Sequence, residues 1–117
     1  MHARATEILA RAKKTNRRFT TTDYILDESA TLLKARGVGY LATGLFDAIL
    51  ASKVCTILWM DPERFDGCRT FFLEHQDKDW SFTDCSSFCA MHELGLREAL
   101  TTDHHFAQAK FQALLAG

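Results

Sequence analysis

The stretch VCTILWM, residues 54–60, limits the folds open to this chain more than any other feature. It is apolar on both alternations, whereas a strand with one solvated face alternates apolar and polar residues. Such a run is typical of a parallel strand covered on both faces. Parallel strands are joined by crossover connections, usually helices. The stretch therefore predicts a sheet between layers of helices.

Helical and strand patterns alternate along the rest of the chain. Helices are predicted over 3–15, 23–36, 39–53, 61–77 and 80–95, a helix or turn over 104–115, and short strands over 18–22 and 97–103. Gly37 and Gly95 stand where glycine ends helices, and Ser81 with Asp84 forms a capping-box pattern. The alternation predicts an α/β sandwich with a mainly parallel sheet, in which sites form beyond the carboxyl ends of the strands.

Length and composition indicate one globular domain over 1–117. The 117 residues suffice for a single compact domain with a core, and no apolar run approaches the length that spans a membrane. The N-terminal stretch MHARATEILARAKKTNRR is basic and lacks the apolar core of a secretory signal. We therefore expect a cytoplasmic location and no membrane partner.

The cysteines allow two interpretations. Cys85 and Cys89 are one helical turn apart and His92 follows three residues later, a spacing that could place zinc ligands on one face. No second pair such as CxxC is present to complete a tetrahedral site. We expect free thiols that pack as small hydrophobes, and a zinc module is the alternative.

Charge is divided unevenly along the chain. Residues 1–53 carry nine lysines and arginines against five acids, and residues 54–117 carry five against ten. Arg4, Arg11, Lys14 and Arg18 fall along one predicted helical stripe. Such a stripe could hold a phosphate backbone, and a solvated helix face is the simpler alternative.

Three acids stand at predicted strand ends or on nearby helices. Asp84 is explained equally well as part of the Ser81 cap, and Asp103 as the cap of the next helix. Glu28 is too deep in its helix to cap it, and it shares a predicted inward stripe with Ile25, Leu32 and Ala35. A buried carboxylate needs a partner or a cation, so the three acids together suggest a site for a hard divalent ion.

At these residues the sequence resembles the PIN domains, and most closely the bacterial endoribonuclease toxins of the VapC type. The stretches TTDYILDESATLL and DKDWSFTDCSSFCAMHELGLREALTTDHHF carry the resemblance, together with the HFAQAKF tail. It covers nearly the whole chain and implies a three-layer α/β/α fold. It also implies an acid cluster that binds Mg²⁺ or Mn²⁺ and positions a water against a phosphodiester of RNA.

By this resemblance Glu28, Asp84 and Asp103 are catalytic and metal-binding acids. Ser81 and Thr83 are polar neighbours of the metal shell, and an antitoxin-like protein is an expected partner. The basic residues Arg4, Arg11, Lys14 and Arg18 would then hold the RNA strand. The alternative is a non-catalytic PIN-like module that binds RNA or an antitoxin-like protein.

The sequence departs from the family pattern at its N-terminus. The family's first strand carries a fourth acid and lies between the strands matched here by 18–22 and 97–102, and no such strand is found in this sequence. We therefore expect weak or absent nuclease turnover. We also expect exposed sheet edges, which are covered by a homodimer or closed by direct pairing of the two strands. A smaller departure is Lys110, which stands where a glycine is common.

Overall fold

A computed structural model describes residues 17–115. In chain order the elements are β1 (Phe19–Thr22), α1 (Asp23–Ala35), a 3₁₀ helix (Gly39–Leu41), α2 (Ala42–Ala51), β2 (Cys55–Leu58), α3 (Pro62–Glu74), α4 (Phe82–Leu94), β3 (Glu98–Ala99), α5 (His104–Gln108) and β4 (Gln112–Ala113). The helix predicted over 3–15 lies outside the described residues. No helix in the described part of the chain is long and apolar enough to cross a bilayer.

The first strand pair is parallel, as the sequence pattern predicts. β1 and β2 pair in register from Phe19 with Cys55 to Thr22 with Leu58. Helices α1 and α2 form the crossover between them, as a parallel pair requires. Thr22 then caps α1, because its Oγ1 accepts a hydrogen bond from the backbone N–H of Ile25 at 3.1 Å. The predicted α/β class with parallel strands is confirmed.

A second parallel pair, β3 with β4, stands apart from the first. Among residues 17–115, β1 pairs only with β2, so the predicted direct pairing of strands 18–22 and 97–102 is wrong. The strand predicted over 97–103 also shortens to Glu98–Ala99. It ends because the chain turns at once: Thr101 N–H donates to the Ala99 carbonyl at 3.0 Å, and Asp103 N–H donates to Thr101 Oγ1 at 3.1 Å.

The last segment, predicted as a helix or turn over 104–115, is helical only at its start. Helix α5 ends at Gln108, and Lys110 follows with φ of +73°. This left-handed backbone cannot continue a helix and favours glycine. The chain then enters β4, which the helical pattern did not predict.

The core lies between α3, α4 and α5. Phe88 is fully buried and packs edge-to-face against Trp80 and Phe106, with ring centroids 5.0 and 4.9 Å apart. The indole N–H of Trp80 donates to Oε1 of Gln108 at 3.0 Å, which ties α5 to the start of α4. Ser86 and Ser87 of α4 are buried as well, and this helix has more buried residues than any other described element.

The opposite half of the molecule is more exposed than its apolar sequence predicts. No residue of α2 is buried, and β2 is an edge strand whose four residues are half-buried or exposed. Trp59, directly after β2, is 57% exposed. The prediction that 54–60 is covered on both faces is therefore wrong, because within the described residues β2 has one neighbouring strand and a loosely packed α2.

Candidate active site

The two strand pairs border a cleft of about 630 Å³, named here the strand cleft. Its walls are β1 and β3, and its floor includes Ser87, Met91 and Leu94 of α4. At the amino ends of the strands, Arg17 forms an ion pair with Glu98 that joins the two walls. The carboxyl ends of β1 and β3 lead to helix α1 and to Asp103. The cleft is therefore bounded by a basic residue at one end and by acids toward the other.

The structure brings all three predicted acids to this cleft. Glu28, Asp84 and Asp103 each line it, from α1, from the first turn of α4 and from the turn after β3. The predicted burial of Glu28 is wrong, since the residue is exposed. In α1 it is Leu26 that is buried, while Leu32 of the predicted inward stripe is 45% exposed. Glu28 therefore faces the cleft, and the cost of a buried carboxylate does not arise.

Asp84 is held by the capping box that its spacing predicts. Its Oδ2 accepts a hydrogen bond from the backbone N–H of Ser81, and its own N–H donates to Ser81 Oγ, both at 3.0 Å. The side chain is 15% exposed. The cap explains why this carboxylate has a fixed position, and it leaves the group at the edge of the strand cleft.

Asp103 also has the structural role that its position predicts. It caps α5, because its Oδ1 accepts the backbone N–H of His105 at 2.9 Å. Thr101 Oγ1 in turn accepts the N–H of Asp103. Among the hydrogen bonds of residues 17–115, the second carboxylate oxygen of Asp103 and of Asp84 accepts none.

The side chain of His105 lies between the two aspartates. Its Nδ1 is 3.2 Å from Oδ2 of Asp84 and 3.2 Å from Oδ1 of Asp103. The nitrogen is shielded from solvent, and within the described structure it makes no hydrogen bond of acceptable geometry. His105 forms a cluster of metal-donor groups with Asp103 and the more exposed His104.

These residues fit the divalent ion that the family resemblance implies. Carboxylate oxygens are the ligands that Mg²⁺ and Mn²⁺ prefer, and free oxygens of Asp84 and Asp103 are available at the cleft. A buried polar atom without a hydrogen bond is costly in a folded protein, and an ion among these groups would satisfy Nδ1 of His105. Asp103 and His105, which belong to the donor cluster, are thus the residues that could hold an ion here, and Asp84 and Glu28 line the same cleft.

The other predicted site residues lie farther from this point. Ser81 acts through its cap on Asp84, and Thr83 accepts a hydrogen bond from Ser86 Oγ at its carbonyl, 2.6 Å away. Neither residue lines the cleft.

Only part of the predicted basic stripe can be located. Arg18 lines the cleft, but it precedes β1 in extended chain, so its predicted place on a helical stripe is wrong. Its guanidinium donates to the Lys53 carbonyl at 3.2 Å. Arg4, Arg11 and Lys14 lie outside the described residues.

The cysteine alternative is not supported by the described structure. All four cysteines are free thiols, and no cluster of metal-donor groups among residues 17–115 includes them. Burial raises the pKa of Cys68 to about 12 and that of Cys85 to about 11. These raised pKa values agree with thiols that pack as small hydrophobes. The ring of His92 packs instead against Phe111.

Sequence reasoning missed His105. The histidine stands two residues after Asp103, within TTDHHF, where the cap of α5 directs its side chain toward the aspartates. A histidine two residues after a capping acid is a weak signal, because its partner Asp84 is distant in the sequence.

Comparison with known proteins agrees with this fold. No protein-family model matches the chain. Over 91 residues, 78% of this chain and 69% of the relative, the sequence is 29% identical to the 23S rRNA-specific endonuclease VapC20 of two strains of Mycobacterium tuberculosis. The crystal structure of Mycobacterium tuberculosis VapC20, a sarcin-ricin loop cleaving toxin, matches with a TM-score of 0.75 and 25% identity, covering 87% of this chain and 78% of that chain. The chain is thus a homologue of the VapC20 toxin and has its PIN-type fold, which confirms the resemblance found in the sequence.

Proposed function

We propose that this protein is a toxin-type endoribonuclease that hydrolyses RNA phosphodiesters with a bound Mg²⁺ or Mn²⁺. The observation that carries the proposal is the meeting of Asp84 and Asp103 around His105 Nδ1 in a cleft that Glu28 also lines. The relatives named above cleave 23S rRNA at the sarcin-ricin loop, so an RNA hairpin of that kind is the substrate to test first.

The acids of the site have different proposed roles, according to how each one is held. Asp84 and Asp103 are fixed by their caps and would hold the ion, while exposed Glu28 is free to bind it or to take a proton from the attacking water. When bound, a divalent ion supplies a water of lowered pKa and neutralises charge that builds on the phosphate. Ser81 supports the position of Asp84 through the capping box, and Thr83 stands beside Asp84 in the first turn of α4.

The basic residues would hold the RNA backbone. Arg18 lines the strand cleft, and we propose that Arg4, Arg11 and Lys14 extend this contact. The described residues bring three carboxylates to the cleft, one fewer than the resemblance implies. We therefore expect slow turnover from the 117 residues alone. Action on ribosomal RNA implies that the protein works in the cytoplasm.

The test is a cleavage assay on a sarcin-ricin hairpin and on an unstructured RNA, with Mg²⁺, with Mn²⁺ and with EDTA. Glu28→Gln and Asp84→Asn should each abolish metal-dependent cleavage, and Asn can still accept the Ser81 N–H and keep the cap. Asp27→Asn is the matched control, since Asp27 is exposed on the same helix but does not line the cleft. Cleavage that survives both site variants would contradict the proposal.

We also propose an antitoxin-like protein partner for the apolar surface beside α2. Tyr40, Phe46 and Leu50 are 75%, 37% and 68% exposed, and no residue of α2 is buried. An apolar surface of this kind indicates a protein contact more than an RNA contact. If the protein were a non-catalytic module, Leu50→Ser would weaken partner binding while EDTA would leave RNA or partner binding unchanged.

The strand cleft suggests one further contact, a homodimer. The cleft-facing edges of β1 and β3 pair with no other described strand, and such edges recruit strands from other chains. Size-exclusion chromatography with light scattering tests this: a dimer supports it, and a monomer at high micromolar concentration contradicts it.

A further inference from the structure

Within residues 17–115, the environment of His105 differs from that of the half-buried His75. Nδ1 of His75 is 2.7 Å from the Phe71 carbonyl and has a hydrogen bond. Nδ1 of His105 has two carboxylate oxygens at 3.2 Å and no hydrogen bond to either, although it is shielded from solvent. A hydrogen bond therefore holds His75, whereas Nδ1 of His105 has only its two close carboxylate contacts.

The distances around Nδ1 are those of ligands that share an ion. In an octahedral shell with metal–ligand distances of about 2.1 Å, neighbouring ligand atoms are about 3 Å apart. The two nitrogen–oxygen distances at His105 are close to that value. His105 and Asp103 belong to a cluster of donor atoms that all lie within 4.8 Å of one another, so a single ion can bind a nitrogen and an oxygen there.

We propose that His105 supplies a nitrogen ligand through Nδ1 to the ion of this site. The site then prefers a first-row transition ion such as Mn²⁺ over Mg²⁺. Mg²⁺ takes oxygen ligands almost exclusively, whereas the affinity of nitrogen-containing sites rises along the transition series from Mn²⁺ onward. This inference rests on the proposed metal-dependent function and specifies its ion.

The neighbouring histidine is the competing ligand. His104 also belongs to the donor cluster, but its side chain is 74% exposed and its Nδ1 is 3.9 Å from Asp103 Oδ1. His105 is only 18% exposed and contacts both aspartates. Its lower exposure and its two carboxylate neighbours favour His105.

The test uses Mn²⁺ as a spectroscopic probe of the whole 117-residue chain. Pulsed electron paramagnetic resonance detects ¹⁴N coupling when an imidazole binds Mn²⁺, and it requires neither turnover nor a variant. We expect ¹⁴N coupling in the unaltered protein, its loss in His105→Gln and its retention in His104→Gln. His92→Gln is a control away from the cleft and should also retain the signal. Competition titration should show Mn²⁺ displaced by Mg²⁺ only when Mg²⁺ is in excess.

The variant His105→Asp gives the sharpest prediction, because it replaces nitrogen by oxygen. It should bind Mn²⁺ without ¹⁴N coupling and shift the preference toward Mg²⁺. Circular dichroism of the metal-free variants verifies that they fold. If a variant fails to fold, the presence or absence of ¹⁴N coupling in the unaltered protein still shows whether an imidazole binds Mn²⁺.

Each other outcome would overturn the inference. Mn²⁺ binding without ¹⁴N coupling, with lower affinity in His105→Gln, would leave His105 a positioning residue. Coupling lost in His104→Gln instead would assign the ligand to His104. An absence of Mn²⁺ binding would contradict both this inference and the proposed metal-dependent function. RNA cleavage with Mg²⁺, together with Mn²⁺ binding that shows no ¹⁴N coupling, would contradict only the inference.

Discussion

Asp103 uses a single carboxylate oxygen for two contacts with His105: Oδ1 accepts the backbone N–H at 2.9 Å and lies 3.2 Å from the side-chain Nδ1. One atom thus caps helix α5 and contacts the nitrogen proposed as a metal ligand. Asp103 can act both as a helix cap and as a metal-binding carboxylate. A substitution separates the two roles only if it keeps one and removes the other.

The pair Asp103→Asn and Asp103→Ala makes that separation. Asn caps helices as well as Asp does, so Asp103→Asn should leave the free energy of unfolding within about 0.5 kcal/mol, and Asp103→Ala should lower it by about 1 kcal/mol. Both variants lose the charge, and metal-dependent cleavage should fall by about 10- to 100-fold or more in each. Urea unfolding and cleavage assays provide the two readouts. Full activity in Asp103→Asn would show that the carboxylate serves only as a cap.

Lys110→Gly should stabilise the protein. Lys110 has φ of +73°, a conformation that costs a residue with a side chain about 1–2 kcal/mol, part of which glycine loses again through its freer unfolded state. We expect a gain of about 0.5–1 kcal/mol and a rise in Tm of about 2–6 °C. Ala109→Gly is the control, since Ala109 has φ of −83° and should lose stability. A lower Tm for Lys110→Gly would mean that its side chain makes an essential contact.

The cap of α1 can be measured with two substitutions at Thr22, which is buried. Thr22→Ser loses a methyl group and keeps the hydroxyl that binds the Ile25 N–H, whereas Thr22→Ala loses both. The difference between the two variants isolates the cap, and we expect Thr22→Ala to be less stable than Thr22→Ser by about 1 kcal/mol. Chemical denaturation provides the measurement. Equal stabilities would show that the hydroxyl contributes nothing.

Alkaline pH should destabilise the core through its buried thiols. Burial is the main cause of the raised pKa values of Cys68 and Cys85, about 12 and about 11. Because the folded pKa exceeds the unfolded one, the thiols' contribution is complete below the ordinary value of 9.0. It is lost as pH rises toward the folded values, by up to about 1.4 kcal/mol per thiol and pH unit. Tm measured from pH 8 to 10.5 should fall less steeply in a Cys68→Ala, Cys85→Ala variant, and parallel slopes would contradict the prediction.

Sequence predicted the features of this fold that depend on near neighbours. The capping box of Ser81 and Asp84 and the left-handed glycines at 37 and 95 lie where their spacing places them, because a cap involves only three or four consecutive residues. Each of these features is set by local backbone chemistry.

Features that depend on distant neighbours were predicted less well. The exposure of Glu28 and Leu32 depends on what packs against α1, and a helical period cannot tell which of two apolar stripes is covered. The two-residue strands β3 and β4 are too short to carry an alternation. The role of His105 needs Asp84, a residue 21 positions earlier, and only the fold brings the two together.

Because β1 and β3 belong to separate strand pairs, the backbone amide of Thr20 on β1 can report what enters the strand cleft. The N–H of Phe19 donates to the Val54 carbonyl at 2.7 Å, and successive amides of a strand point to opposite sides, so Thr21 faces β2 while Thr20 faces the cleft. In deuterated water, Thr20 should exchange its amide hydrogen quickly and Thr21 slowly. A strand from another chain would slow Thr20 by capturing that hydrogen, whereas RNA held by side chains would leave the contrast between the two threonines in place.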